Sequence, residues 1–500
     1  MNENLTPPRC PGVSRRSFLA DTGMGFTGLA LGALLFKDGV ARAADPHAPA
    51  WQPPTGHAHF TPRAKSVIWI FLCGGVSHME SFDVKPELNK YAGKSITDTP
   101  YKSVVETENK NVIGGNPSHG NRKIIFPLQT GYQTYGQCGL VAGDWFKHIG
   151  TCADDLAIVR SLWTVHNDHG AQLTFQTGRH PREGAHPTIG SWASYGLGTL
   201  NENLPSFVVL GTPTGDCCGG TWTFGSSYLG PQFAGIRLNV DPQNPLPFIR
   251  PANGARSLEE QQSNLSLLGK LNQLSGVDYP DDQDLRARIK SYELAFQMQS
   301  AVPDLMQLDR ETDATRKLYG IDDKVTGDLG RNCLIARRLL ERGTRFIQIW
   351  SGADNGFPRR NWDSHEDIAR DHGDMGRSLD RPAAALIKDL KARGLLEDTI
   401  VLWTTEFGRM PCSQGGKGRD HNPFTFTNWL AGGGIKGGVT YGKSDEWSFR
   451  AADKTTYCYD VHATILHLLG IDHEKLVFRH NGIDRRLTDV HGHVIREIVG

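Results

Sequence analysis

Short runs that are apolar at most positions, with no polar face, alternate along this chain with longer stretches that are apolar on one side only. The first kind includes KSVIWIFLCGG (65–75), LAIVRSLW (156–163), SFVVLG (206–211), TRFIQIW (344–350) and TIVLWTTEF (399–407). A run without a polar face needs cover on both sides, which predicts central strands of a parallel sheet. The second kind predicts helices. RNCLIARRLLERG (331–343) carries one apolar stripe and stops at Gly343, a natural helix end. Leu379, Ala383, Leu386, Ile387 and Leu390 share one face of another helix, expected to open at Pro382 and close at Gly394. DVHATILHLLG (460–470) predicts a third, with Asp460 as its N-cap. Strand, glycine stop, helix and strand again is the order of an α/β domain with a mostly parallel sheet. In such sheets ligands gather at the carboxyl ends of the strands.

The pattern changes at both ends and once in the middle. SRRSFLADTGMGFTGLALGALLF, from Ser14, sets Arg15-Arg16 before a weakly apolar segment, and ARAAD (41–45) offers small residues for cleavage after Ala43. This resembles a twin-arginine (Tat) signal peptide. The apolar segment has ~13 residues, against the ~20 that a spanning helix needs, so no permanent membrane span is expected. Residues 1–43 are therefore read as signal, 44–64 as a linker, 65–475 as the α/β domain and 476–500 as a C-terminal tail. Within the domain, about 212–330 reads as an insertion of loops followed by polar helices such as DDQDLRARIKSYELAFQMQ. The signal implies the Tat translocase as a partner during export and a periplasmic or secreted protein.

Composition narrows the function by exclusion. The chain has 54 basic and 54 acidic residues, so it lacks the electrostatic footprint of a nucleic-acid binder. The mature part has eight cysteines but no C-x-x-C, and Cys217-Cys218 are adjacent; no pairing and no zinc-thiolate site follow from that. The 19 histidines are more informative, because several stand beside carboxylates just after predicted strands. GGVSHMESFD brings His78, Glu80 and Asp83. HNDHG brings His166, Asp168 and His169. NWDSHEDIARDHGD brings Asp363, His365, Asp371 and His372. Glu406 ends a predicted strand, and a glycine-rich loop is expected to carry Arg419, Asp420 and His421 back beside it. Divalent cations take carboxylate oxygens and neutral imidazoles, and a two-metal site draws its ligands from several strand ends. Each cluster alone has a plainer reading: Asp363 and Asp420 as loop caps, Glu406 as a surface charge. Together they point to one shared site.

GGVSHMESFDVKP, HPTIGSWASYGLG, WDSH, TEFGRMP, GRDHNPFTF and LAGGGIKGG together resemble the bacterial family known as domain of unknown function 1501, which is grouped with the alkaline phosphatase-like superfamily beside the sulfatases. The resemblance covers nearly all of residues 65–475. It implies a doubly wound α/β sheet with metals at the strand ends and hydrolysis of phosphate or sulfate esters. It also implies one or two divalent ions, of zinc, calcium or manganese. Asp363 and His365 resemble the superfamily's Asp/His metal pair, though at shorter spacing. Glu406 stands where active members have Asp-His, and His421 resembles the later metal histidine with Asp420 beside it. Gly74-Gly75 replace the first-strand Asp, for which His78 is one substitute. LTFQTGRHP resembles a sulfatase segment, and counting back from Thr177 sets Asp168 at the nucleophile position; the C-x-P-S-R signature is absent. Asp168 and His169 are thus the candidate base or nucleophile, and Arg409 and Arg419 the candidate contacts for an anionic ester or glycan. The competing expectation is a non-catalytic, metal-stabilised relative that binds a glycan or a protein. A third is a metallohydrolase of different chemistry.

Overall fold

A computed structural model describes residues 56–105, 124–201, 203–212, 218–240, 301–352 and 359–500, with scattered residues between 260 and 298. The expected signal segment and most of the linker lie outside the described residues, as does most of the polar helix expected near 282–300. No helix among the described residues is long and apolar enough to cross a membrane.

The mostly apolar runs form strands as expected. They are β1 (Ser66–Leu72), β2 (Leu156–Leu162), β3 (Phe207–Leu210), β5 (Phe346–Ser351) and β6 (Thr399–Thr405). Three more strands join them in one eight-stranded sheet: β4 (Ile236–Leu238), β9 (Phe426–Ala431) and β10 (Val439–Tyr441). The strand order is β10-β2-β9-β6-β1-β5-β3-β4. Every neighbouring pair is parallel except the two made by β9. β1 shows why such strands have no polar face. Ile68, Ile70 and Leu72 enter one core with Leu334, Leu339, Leu386 and Ile387. Val67, Trp69 and Phe71 enter the opposite core with Phe175, Trp192 and Ile465. Helices thus cover both faces: α4 (Gly327–Glu341) and α5 (Ile368–Ala392) on the first, α1 (Gly170–Thr177), α2 (Ile189–Leu197) and α6 (Cys458–Leu468) on the second. A further short helix, α3 (Asp313–Tyr319), adds Tyr319 to the first core. The sheet is the doubly wound, mostly parallel α/β sheet expected.

Several local expectations are corrected. Pro382 does not begin a helix; it lies inside α5, which runs for 25 residues. A proline there costs about 3 kcal/mol, and burial of Leu379, Ala383, Leu386 and Leu390 on both sides of it holds the helix together. Asp460 is not the N-cap of α6. It is the third residue in, and its carboxylate accepts the backbone N–H of Tyr457, the reciprocal half of a capping box. The glycine-rich segment after β6 is not a loop but a hairpin, β7 (Gly408–Gln414) paired antiparallel with β8 (Gly418–Asn422). Residues 476–500, set apart as a tail, contribute Leu476, Leu487, Ile495 and Ile498 to the second core. Within the span read as an insertion, β4 forms the sheet edge beside β3. Cys218 is disulfide-bonded, whereas Cys138, Cys152, Cys333, Cys412 and Cys458 are free thiols.

Candidate metal centre

The site forms where β1, β2, β5 and β6 end. After β1 the chain turns on Gly74 and Gly75, at φ +111° and +92°. A Cβ on Gly74 would sit 2.3 Å from the backbone nitrogen of Asp363, and one on Gly75 would sit 2.3 Å from the Phe407 ring. The acid missing from the end of β1 therefore has a steric reason: the backbone carrying Asp363 passes too close for any side chain there. Asp363 follows β5, His169 stands at the N-cap of α1 beyond β2, Glu406 follows β6 directly, and the hairpin delivers His421.

These side chains converge. Ligand atoms of His169, Asp363 and His421 all lie within 4.8 Å of one another. Asp363 Oδ1 is 2.8 Å from His365 Nε2 and 2.9 Å from His421 Nε2, and those two nitrogens are 3.0 Å apart. His169 Nε2 is 3.5 Å from Asp363 Oδ2. The other nitrogen of each ring is engaged on the outside. His421 Nδ1 donates to the carbonyl of Asn167 at 2.6 Å, and His169 Nδ1 donates to Glu406 Oε1 at 2.7 Å. His365 Nδ1 meets Gln414 Oε1 at 2.6 Å. Fixing Nδ1–H outward and leaving Nε2 inward is how proteins orient histidine for a metal.

The charges sharpen this picture. Burial, together with the nearby Arg409 cation, lowers the His421 pKa to about 4 despite Asp363. Its Nε2 stands between Asp363 Oδ1 and His365 Nε2. Burial raises the Asp363 carboxyl, but three imidazoles and Arg409 outweigh it and hold the pKa well below the usual range. Burial likewise opposes a charge on His169, yet Glu406 and Asp363 outweigh it and keep that pKa up at about 10. Burial raises Glu406 above its ordinary value, with His169 pulling the other way. Its second oxygen, Oε2, is buried and has no partner among the described residues. A cation would relieve this crowding of three imidazoles on one carboxylate.

Other expected site residues lie elsewhere. His78 is buried, with Nε2 2.8 Å from the carbonyl of Ser448, and is not in the cluster. Asp420 accepts the backbone N–H of His421 at 2.9 Å and stands 3.9 Å from His365 Nδ1. The Asp168 side chain is 65% exposed, and its Oδ1 accepts the Gly170 N–H at 2.9 Å. Arg409 and Arg419 are completely buried, so neither is an open anion contact. Arg419 is paired with Glu80 at 2.6 Å, and Arg409 donates to Asp363 Oδ1 at 2.9 Å. Sequence reasoning missed Arg359, whose side chain is 16% exposed. It lies 3.5 Å from Asp363 Oδ2 and 2.8 Å from Glu366 Oε1. Its position four residues before Asp363 was the only signal.

The profile of the family described as "Protein of unknown function (DUF1501)" matches residues 64–499. Comparison with curated protein sequences finds no match. Among solved structures, the chain is similar to the PsFucS1 sulfatase from Pseudoalteromonas sp. at 13% identity and a TM-score of 0.34, over 82% of this chain and 69% of that one. It is similar to the phosphonate monoester hydrolase SpPMH from Silicibacter pomeroyi at 10% identity and a TM-score of 0.32, over 87% and 76%. For an alkaline phosphatase from the Antarctic bacterium TAB5 the identity is 10% and the TM-score 0.29, over 82% and 98%. Likenesses this distant carry no residue role and no reaction across to this chain.

Proposed function

We propose, for a chain that belongs to the DUF1501 family, a divalent-cation site that serves the hydrolysis of phosphate or sulfate esters outside the inner membrane. The observation that supports it most is the convergence of ligand atoms of His169, Asp363 and His421 within 4.8 Å of one another, with His421 Nδ1 held outward on the carbonyl of Asn167 at 2.6 Å. His169, Asp363, His365 and His421 are the proposed ligands. Three imidazoles and one carboxylate favour zinc over calcium, which takes oxygen ligands. A cation there would supply Lewis-acid chemistry at an ester oxygen.

The chain's own residues do the rest. Glu406 orients His169 and balances its charge. Arg359 takes the anion-contact role first assigned to Arg409 and Arg419. Its planar fork now meets Glu366 through two nitrogens, at 2.8 and 3.1 Å, and a phosphate or sulfate group offers the same bidentate geometry. Arg15-Arg16 and the segment after them support export by the Tat route.

One observation favours the non-catalytic alternative. No Ser or Thr hydroxyl among the described residues hydrogen-bonds to His169, Asp363, Glu406 or His421. Hydrolysis, if present, would then use water directly rather than a covalent intermediate. The test is elemental mass spectrometry of the mature protein and of Asp363→Asn and His421→Gln, followed by assays on aryl phosphate, phosphodiester and aryl sulfate. About one equivalent of cation lost in both variants, with turnover lost alongside, is expected. A folded, metal-free wild type would overturn the site. A metal-replete protein inert on all three substrates would leave the site and overturn the ester reaction.

A further inference from the structure

We infer that Arg409 is a positioning residue for this site, acting through Asp363; the inference rests on the cation reading above. Arg409 comes from β7 and has no solvent exposure. Nε donates to the carbonyl of Gly75 at 2.8 Å and Nη1 to that of Arg419 at 3.1 Å. Nη2 meets the carbonyls of Gly74 and Trp362 and the Oδ1 of Asp363, the last at 2.9 Å. One planar group thus ties together the turn after β1, the segment carrying Asp363 and the hairpin that delivers His421. Of its partners only Asp363 is charged. The guanidinium fixes Oδ1 toward His365 and His421 and leaves Oδ2 toward His169 and Arg359.

Lysine cannot replace this. A single ammonium can stand in for Nη2 alone; without Nε and Nη1 on the carbonyls of Gly75 and Arg419 nothing fixes it beside Asp363. The hairpin also carries its own control. Arg419, on β8, is equally buried and donates to Glu80 and to the carbonyls of Met410 and Pro127. It touches none of the proposed ligands. Arg409 and Arg419 therefore share a structural load, but only Arg409 sets the direction of a ligand. Partners that orient a ligand are worth ~10–100-fold in metal affinity.

The experiment compares wild type, Arg409→Lys and Arg419→Lys as full mature chains. Zinc affinity is read by competition with a chromophoric chelator, and Tm is read on the metal-free proteins. Arg409→Lys is expected to weaken zinc binding ~10–100-fold. Arg419→Lys is expected to lower Tm by a similar amount while its zinc affinity stays within a factor of about three, below that range. Wild-type affinity in Arg409→Lys would overturn the inference. So would equal weakening in both variants, which would reduce the effect to general hairpin disorder. If Arg409→Lys does not fold, the wild type supplies the test through the 15Nε–H signals of its arginines, with Arg419 assigned from its variant. Zinc should shift the Arg409 signal and leave Arg419 still, and no shift in Arg409 would overturn the inference. A wild type that binds no zinc overturns the cation reading itself, an outcome distinct from zinc-binding protein indifferent to Arg409.

Discussion

Glu80 and Asp363 are both buried carboxylates, and each faces an arginine of the same hairpin, yet their surroundings differ in kind. Glu80 Oε1 receives Arg419 Nε and Nη2 and the backbone N–H of Gln129, and Oε2 receives the hydroxyl of Ser77. Each oxygen meets a donor. Asp363 receives Arg409 and faces three imidazole nitrogens, and the nearby Glu406 Oε2 meets no donor among the described residues. The first is a closed ion pair that holds segments together. The second leaves a buried acceptor unfilled, which is unfavourable unless a further group such as a cation completes it. Burial and charge do not separate structure from function here; the donor count does.

Removing one half of the closed pair should cost most. Glu80→Ala leaves the Arg419 cation buried and unopposed, and a loss of ~3–5 kcal/mol is expected in urea denaturation. A loss under 1 kcal/mol would mean that water reaches the pair and that it is not closed.

A buried histidine outside both clusters gives the next largest effect. Burial lowers the His462 pKa to about 4, with Nε2 bonded to the carbonyl of Phe175 at 2.8 Å. The folded value lies below the ordinary 6.5, so the unfolded chain takes up the proton first. Stability from this group is complete above pH 6.5, falls as pH drops, and levels off below about 4. The full change is about 3–4 kcal/mol at ~1.4 kcal/mol per unit. Denaturation at pH 7 and pH 5 should show the slope, and it should flatten in His462→Gln. An unchanged slope would assign acid sensitivity to other groups.

The open cluster is read by linkage. Zinc at about 100 times its Kd should stabilise the wild type by ~2.7 kcal/mol, and Asp363→Asn should gain nothing measurable by differential scanning fluorimetry. Equal gains would put the cation elsewhere. The smallest effect belongs to Asp168→Ala, which removes one exposed cap on the start of α1. A loss of ~0.5–1 kcal/mol is expected, with zinc affinity unchanged. A collapse in zinc affinity would return Asp168 to the site.

The sheet was legible because β1, β2, β3, β5 and β6 announce themselves by being apolar on both faces. The hairpin was not. GRMPCSQ and GRDHN show no alternation, since their buried side chains include Arg409 and Arg419, whose partners stand far away in sequence. The same contrast runs through the site. Asp363, His365, Glu406 and His421 could be picked from their place after strands, and His169 from HNDHG. Arg409 and Arg419 looked like anion contacts because sequence shows charge but not burial. Gly74-Gly75 looked like a lost acid until the approach of the Asp363 backbone explained them.

The seat of β1 at the middle of the sheet has a consequence in time. β1 is the first strand of the sheet to leave the ribosome, but its partners on either side are residues 346–351 and 399–405. The centre of the domain therefore cannot close until most of the chain has been made. High contact order of this kind slows folding and leaves apolar segments waiting. Maturation would then be timed by the last third of the chain, and a truncation before β6 should leave β1 a target for chaperones.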